Sequence, residues 1–362
     1  MGHDLARLRA EVARLLERFT AAGASEVEPP ALLSAETLLD LYGEDIRTRA
    51  YTTLDPVEGE RMLRPDFTVP VVEMHVAAGQ EPARYAYAGP VWRTQESTSL
   101  RPTEYLQVGY ELFDRGAPEQ ADAEVFALIA GAVAGQGLSV ATGDMGVIRA
   151  AVASLTLSDR RRAALLRHIW RPARFTKLLE RFSAPAATLS DRRATALAAG
   201  LDQVLGDIPL NGVRQASEIT ERLNWLAEEA QEPPLPVEQA AALREVLNIA
   251  VPLAELPEAL HSLLDVLPEL STAAAQVAAR NAALAERGID PQTLPFEARF
   301  GRTTLEYYDG FVFGLFDPNR SDLPPIATGG RYDALTSALS GGKGIPAVGG
   351  IIRPEALLAR AL

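Results

Sequence analysis

Apolar positions along the chain recur with two periods, and the places where one gives way to the other set out the expected elements. Leu5, Leu8, Val12, Leu15, Leu16 and Phe19 repeat at helical spacing, with Gly23 as the stop. "SEVEPPALL" then reads as a short extended piece ending in Pro29–Pro30. From Tyr51 to Phe113 the texture is strands and turns, with one apolar helix near Val69–Ala78. "DAEVFALIAGAVAGQGL" restores helix and stops near Gly135–Gly137. From about residue 148 to 270 the pattern is a run of helices, broken by "QEPPLP" and nearly free of strand signals. "STAAAQVAARNAALAERG" predicts a helix capped by Ser271 and closed by Gly288. After it, "FEARF", "LEYYDGFVFGLF", "PIATGGRYDAL" and "IPAVGGII" return to strand texture. The order is mixed α/β, a helical insertion, then more strands.

Composition narrows the class. A chain of 362 residues holds two or three packed units, and 47% apolar with 23% charged residues is ordinary for a globular protein. There is no cysteine, which removes disulfides and thiolate metal sites and fits a reducing cytoplasm. The amphipathic start and the lack of a long apolar run point away from a signal peptide or membrane span. A net charge of −13 disfavours an extended nucleic-acid surface. His3, His75, His168 and His261 are scattered without ligand spacing, so no metal is expected. No P-loop or strand-linked GxGxxG occurs, and no cofactor is called for. The arginines between Arg160 and Arg181 fit a solvated helix face or a docking surface.

Five stretches carry candidate chemistry. In "EYLQVGYELF", Leu106, Val108, Tyr110 and Leu112 share one face of a strand, and Tyr105, Gln107, Gly109, Glu111 and Phe113 share the other. Gln107 and Glu111 flank a glycine, giving a polar floor with headroom, or the wet face of a plain antiparallel sheet. In "MLRPDFTVPV", Asp66 and Thr68 share a face if extended and suit an ammonium, or they cap the following helix. Arg93 and Arg101 border a hairpin loop and suit phosphate or carboxylate, or simply solvent. Tyr308 should share a face with Glu306 and Gly310, with Tyr307 on the opposite one. In "ATGGRYDAL", Gly329 and Gly330 allow close backbone approach, Arg331 adds charge, and Tyr332–Asp333 open a helix.

In this order the stretches resemble the catalytic core of class II histidyl-tRNA synthetases. "SEVEPPALL" is similar to motif 1, with Pro30 at its proline. "RYAYAGPVWR…EYLQVGYELF" is similar to motif 2. "LRPDFT" stands where that family has Arg-Pro-Glu-Gly-Thr. "LEYYDGFVF" and "GGRYD" resemble the two histidine-specific motifs, and "PAVGGIIRPEAL" resembles motif 3. The resemblance implies an α+β fold: an antiparallel sheet flanked by helices, with core pieces at 1–148 and 271–362 and an all-helical insertion at 149–270. It also implies a histidine pocket in which Asp66, Thr68 and Gln107 bind the amino group and Glu111 and Tyr308 the imidazole. Arg93, Tyr307, Gly329 and Arg331 would complete the lining.

The departures point to a non-catalytic role. The arginine closing motif 3 falls on Ala356, with Arg353 three residues away and expected to point elsewhere. The arginine before "GLDYY" falls on Thr303, with Arg302 one position early, and Thr103 stands where a second motif 2 arginine is usual. Two such losses at about 3 kcal/mol each cost on the order of 10⁴ in rate. The sequence also stops at Leu362, where the synthetases continue into an anticodon-binding domain. The combination resembles the regulatory subunits of ATP phosphoribosyltransferase. That resemblance implies a partner, the short-form catalytic subunit, at the first step of histidine biosynthesis, with histidine feedback and self-association through the motif 1 region. The alternatives are a truncated synthetase-like enzyme forming histidyl-adenylate, or an RNA sensor on the same core.

Overall fold

The computed structural model describes residues 5–42, 44–95, 102–185, 191–199, 215–302 and 307–360. Its strands are β1 (Ser25–Glu26), β2 (Leu32–Ser34), β3 (Thr52–Asp55), β4 (Gly59–Leu63), β5 (Ala83–Trp92) and β6 (Glu104–Phe113). These are followed by β7 (Ser139–Asp144), β8 (Ala250–Pro252), β9 (Pro295–Glu297), β10 (Phe311–Phe316), β11 (Ala327–Arg331) and β12 (Ala347–Ile352). The main sheet runs β1-β5-β6-β12-β11-β10-β7-β9-β8, and β2-β4-β3 form a small second sheet. From β5 to β7 every neighbouring pair is antiparallel; β1 joins β5, and β9 joins β7, in parallel.

Strand alternation divides the sheet into two faces with different jobs. Val108, Tyr110 and Leu112 of β6 and Phe311 and Phe313 of β10 are buried in a cluster with Leu15 and Phe19 of the first helix and Phe126 and Ile129 of the helix Pro118–Ala132. The opposite face gathers Phe67, Tyr87, Tyr307, Tyr308 and Tyr332 with Leu33 and Met62 of the small sheet. The helix Thr68–Ala78 closes this second layer, with Val69, Val71 and Val72 buried.

Among the described residues the segment 149–270 is helical apart from short pieces such as β8, and much of it packs on the main sheet's core. β8 pairs with β9 at the sheet's end, and Phe175, Leu179 and Leu243 belong to the same buried cluster as Tyr110. Arg161, expected on a solvated face, is buried, with its guanidinium on the carbonyl of Pro233 and 3.1 Å from Glu232. Ser271 is not a cap: the helix Leu270–Glu286 begins one residue earlier, after Glu269, because the chain already turns at Pro268, whose carbonyl takes the Ser271 N–H. Gly288 closes it as expected, at φ 76°.

His75 is buried, stacked on Phe113 with Nδ1 3.0 Å from the Tyr85 hydroxyl. Among the described residues no group of three His, Cys, Asp or Glu is placed to hold a metal ion, and no helix is long and apolar enough to cross a membrane.

Candidate functional site

The site is built on the pocket face of β6. Gln107 and Glu111 point there by strand parity, and both are buried. Glu111 pairs in register with Gly349 of β12, where an added Cβ would lie 1.4 Å from Glu111 Oε2. The carboxylate therefore lies flat across a position that only glycine can occupy. Gly109, between the two polar residues, does not leave headroom: the ring of Tyr87, its register partner on β5, fills the space, and a Cβ would sit 2.2 Å from that ring. The filled space brings a hydroxyl to the carboxylate. Tyr87 donates to Glu111 Oε1 at 2.8 Å and Tyr332 to Oε2 at 2.6 Å, with Thr68 Oγ1 3.4 Å from Oε1. Burial pushes the Glu111 carboxyl up to about 7, against the pull of these hydroxyls.

Beside it stands a second acceptor group. Asp66 is buried; its Oδ1 accepts the Thr68 N–H at 3.2 Å, and its Oδ2 lies 3.7 Å from the Arg93 guanidinium. Asp66 thus holds the first N–H of the helix Thr68–Ala78, whose N-cap is Phe67, and lines the recess at once. Burial raises its pKa, partly opposed by Arg93. Gln107 Oε1 is buried and accepts no hydrogen bond from any described group. A buried amide acceptor left unpaired beside a carboxylate is chemically suited to an ammonium group.

Tyr307 and Tyr308 cover these groups together. The sequence placed them on opposite faces of a strand, but β10 starts only at Phe311. Both rings turn into the site, with centroids 4.8 Å apart, and the Tyr307 hydroxyl is 3.4 Å from Thr68 Oγ1. Beneath them is a recess of about 20 Å³, room for about one water. It adjoins an outer cavity of about 530 Å³. Asp66, Arg93, Tyr307, Tyr308, Thr328 and Arg353 line both.

The structure thus brings together Asp66, Thr68, Gln107, Glu111, Arg93, Tyr307 and Tyr308. One expected residue is placed otherwise. Arg331 is on the sheet's other face, where it donates to Asp122 Oδ1 at 2.9 Å, Asp333 Oδ1 at 3.0 Å and the Pro118 carbonyl at 2.6 Å. Gly329 lines the outer cavity, where an added Cβ would run into Phe313 at 2.3 Å, and Gly330 lies under Tyr308. β11 alternates, so the Arg331 side chain points away from the face that carries Thr328. Tyr87, Tyr332, Gly349 and Arg353 were missed, and strand parity was the signal for all but Tyr332.

Arg353 departs furthest from expectation. It is the cap of the helix Pro354–Ala359, at φ −102° and ψ 96°, so it is still extended. Parity from Gly349 and Ile351 carries it to the pocket face, where Ala356 also lines the outer cavity. Arg302 does face away, donating to the Ile169 carbonyl at 2.9 Å and lying over the Phe175 ring. Arg101, Thr303 and Glu306 lie outside the described residues.

Comparison with known proteins fits this geometry. The histidyl-tRNA synthetase family model matches residues 2–240 and 214–357. An ATP phosphoribosyltransferase regulatory subunit from Allorhizobium ampelinum is 33% identical over 353 residues, covering 92% of this chain and 93% of its own. The one from Agrobacterium fabrum is 34% identical, covering 92% of each chain. The chain belongs to the ATP phosphoribosyltransferase regulatory subunit family. The fold likeness extends to solved structures. One is an ATP phosphoribosyltransferase regulatory subunit/histidyl-tRNA synthetase from Bacillus halodurans, with a TM-score of 0.70 at 21% identity, covering 99% of this chain and 80% of that one. Another is a histidyl-tRNA synthetase from Nostoc, with a TM-score of 0.63 at 17% identity, covering 98% of this chain and 71% of that one. The class II α+β architecture of this family is the one described above.

Proposed function

We propose that this chain is a non-catalytic regulatory subunit. It acts with the short-form catalytic subunit of ATP phosphoribosyltransferase in the first step of L-histidine biosynthesis, and it carries feedback by histidine. The observation that carries the reading is the unpaired Gln107 Oε1 beside the Asp66 carboxylate, with Glu111 held by three hydroxyls in the same recess. An amino acid with an ammonium at one end and an imidazole N–H at the other matches those acceptors. Histidine regulates by binding two states of the assembly unequally, and a coupling of about 1–3 kcal/mol gives about 5- to 150-fold control. Self-association through the segment around Pro30 belongs to the same reading, supported by the exposed apolar Leu32, Leu54 and Val57 on the neighbouring small sheet.

The test is phosphoribosyl transfer by the catalytic subunit with and without this chain, across a histidine titration. Activity and histidine sensitivity that do not depend on this chain defeat the proposal. A second reading, a histidyl-adenylate-forming enzyme, draws support from Arg49, Arg93 and Arg353, which give the outer cavity more positive charge than the sequence suggested. Histidine-dependent ATP–pyrophosphate exchange separates the two, and the regulatory reading expects background levels.

A further inference from the structure

Arg353 lies at the junction of the recess and the outer cavity, held by groups that leave most of its donors unspent. Its backbone N–H donates to the Ile326 carbonyl at 2.8 Å, and Nη1 donates to the Pro325 carbonyl at 2.7 Å. Those bonds, with a side-chain hydrogen bond to Tyr105, fix the direction of the guanidinium and still leave N–H groups of its five to spare. Among the described residues no carboxylate lies within ion-pair distance of it. Of the charged groups in the cavity wall, Arg93, of the same sign, acts on it, Glu355 accepts the Leu106 N–H at 2.8 Å, and Tyr105 is beside it. Burial lowers its pKa, and Arg93 acts in the same direction. A half-buried guanidinium facing another cation is an arrangement that an anion relieves.

The anion's source follows from what else lines the junction. Asp66 and Arg353 both line the recess and the cavity, the first negative and the second positive. An α-amino acid carries its ammonium and carboxylate on one carbon, so a molecule with its amine on Asp66 and Gln107 presents its carboxylate toward the cavity side. We infer that Arg353 receives the α-carboxylate of the amino acid bound in the recess, and so sets the preference for a free amino acid over its decarboxylated or reduced relatives. This inference rests on the reading of the recess as a histidine site. It assigns to the residue that follows β12 a role that Ala356, on the next helix, has no charge to fill.

Calorimetry on the full chain with L-histidine, L-histidinol and histamine tests it. All three ligands carry the imidazole and an amine, and only histidine carries the carboxylate. The wild type is expected to bind histidine at least ~10-fold more tightly than histidinol or histamine, because a charge-assisted fork contact is lost with the group it grips. Arg353→Gln should erase that preference by weakening histidine alone, with histidinol affinity changed less than about 2-fold, and Arg353→Lys should keep part of it. Equal affinity of the wild type for all three ligands overturns the inference while leaving the recess reading intact. So does a preference that survives Arg353→Gln. If the wild type binds none of them, the recess reading fails and the role of Arg353 falls with it. The comparison of ligands on the wild type decides the matter even if Arg353→Gln does not fold.

Discussion

Tyr332 donates its hydroxyl to Glu111 Oε2 at 2.6 Å across 221 residues of sequence, tying the residue after β11 to the last part of β6. Tyr87 holds the other oxygen from β5 at 2.8 Å. Both hydroxyls donate, so the pair favours the ionised carboxylate, while complete burial favours the neutral acid. The balance leaves Glu111 titrating at about 7 and raises both tyrosines well above their ordinary range. A carboxyl poised at neutrality suits a partner that is itself near its titration point, as imidazole is.

The same balance makes stability depend on pH. A carboxyl raised in the folded state contributes fully below its unfolded value and loses that contribution as pH rises through about 7. The ligand-free protein should therefore lose up to about 3 kcal/mol between pH 5 and 8 through Glu111. Asp66, also raised, and Asp309, pushed up to about 6 by burial, act in the same sense, so Glu111→Gln should flatten the profile without abolishing it. Urea midpoints from pH 5 to 8 for both proteins measure this, and superimposable slopes would contradict it.

Gly349→Ala addresses the floor itself. The new Cβ would stand 1.4 Å from Glu111 Oε2, so either β12 moves or the carboxylate leaves Tyr332. The variant is expected to lose about 3 kcal/mol or more, the cost of breaking a buried, hydrogen-bonded acid. Histidine binding should go with it. Gly350→Ala is the control: its Cβ faces the other side, 2.9 Å from the Ile129 side chain in the core, and histidine affinity of the folded protein should hold. Denaturant titration and calorimetry of both variants check the contrast.

Most of this floor was legible in the sequence because it obeys strand alternation. Gln107 and Glu111 point where "EYLQVGYELF" says, and Val108, Tyr110 and Leu112 face the helices. The errors occur where regular structure begins or ends. Tyr307 and Tyr308 were read as strand, but residues 307–310 are not, so both rings turn one way. Arg353 was expected to point elsewhere, yet it is the last extended residue and follows the strand's parity. Arg331 was drawn to the pocket by its motif, although its parity opposes that of Thr328. What no local pattern carries is which distant side chain fills a gap, such as Tyr87 in the space above Gly109.

Arg331 should therefore matter for folding rather than for the ligand. It shares Asp122 with Arg280, which also holds Asp144 at 2.6 Å, in a buried network between the sheet and two helices. Arg331→Met leaves Asp122 and Asp333 short of a partner, and removing one member of a buried ion network costs about 3–5 kcal/mol. Histidine affinity per folded molecule should change less than about 2-fold. A large affinity loss at unchanged stability, read from the same pair of titrations, would return Arg331 to the site.

Asp66 should show the opposite separation. In Asp66→Asn the side-chain oxygen can still accept the Thr68 N–H, so the start of the helix Thr68–Ala78 keeps that bond. The substitution also removes a carboxylate whose burial already raises its pKa, so stability near pH 8 should change by no more than about 1 kcal/mol. Binding has no such compensation. An ammonium seated between Asp66 and the Gln107 oxygen loses its charged partner, and hydrogen bonds to charged groups are worth about 1.5–3 kcal/mol, about 10- to 100-fold in affinity. Histamine, which keeps the amine, should weaken as much as histidine, whereas imidazole alone should bind both proteins equally. A histidine affinity unmoved by Asp66→Asn would mean that the amine sits elsewhere, and the orphaned Gln107 oxygen would need another donor.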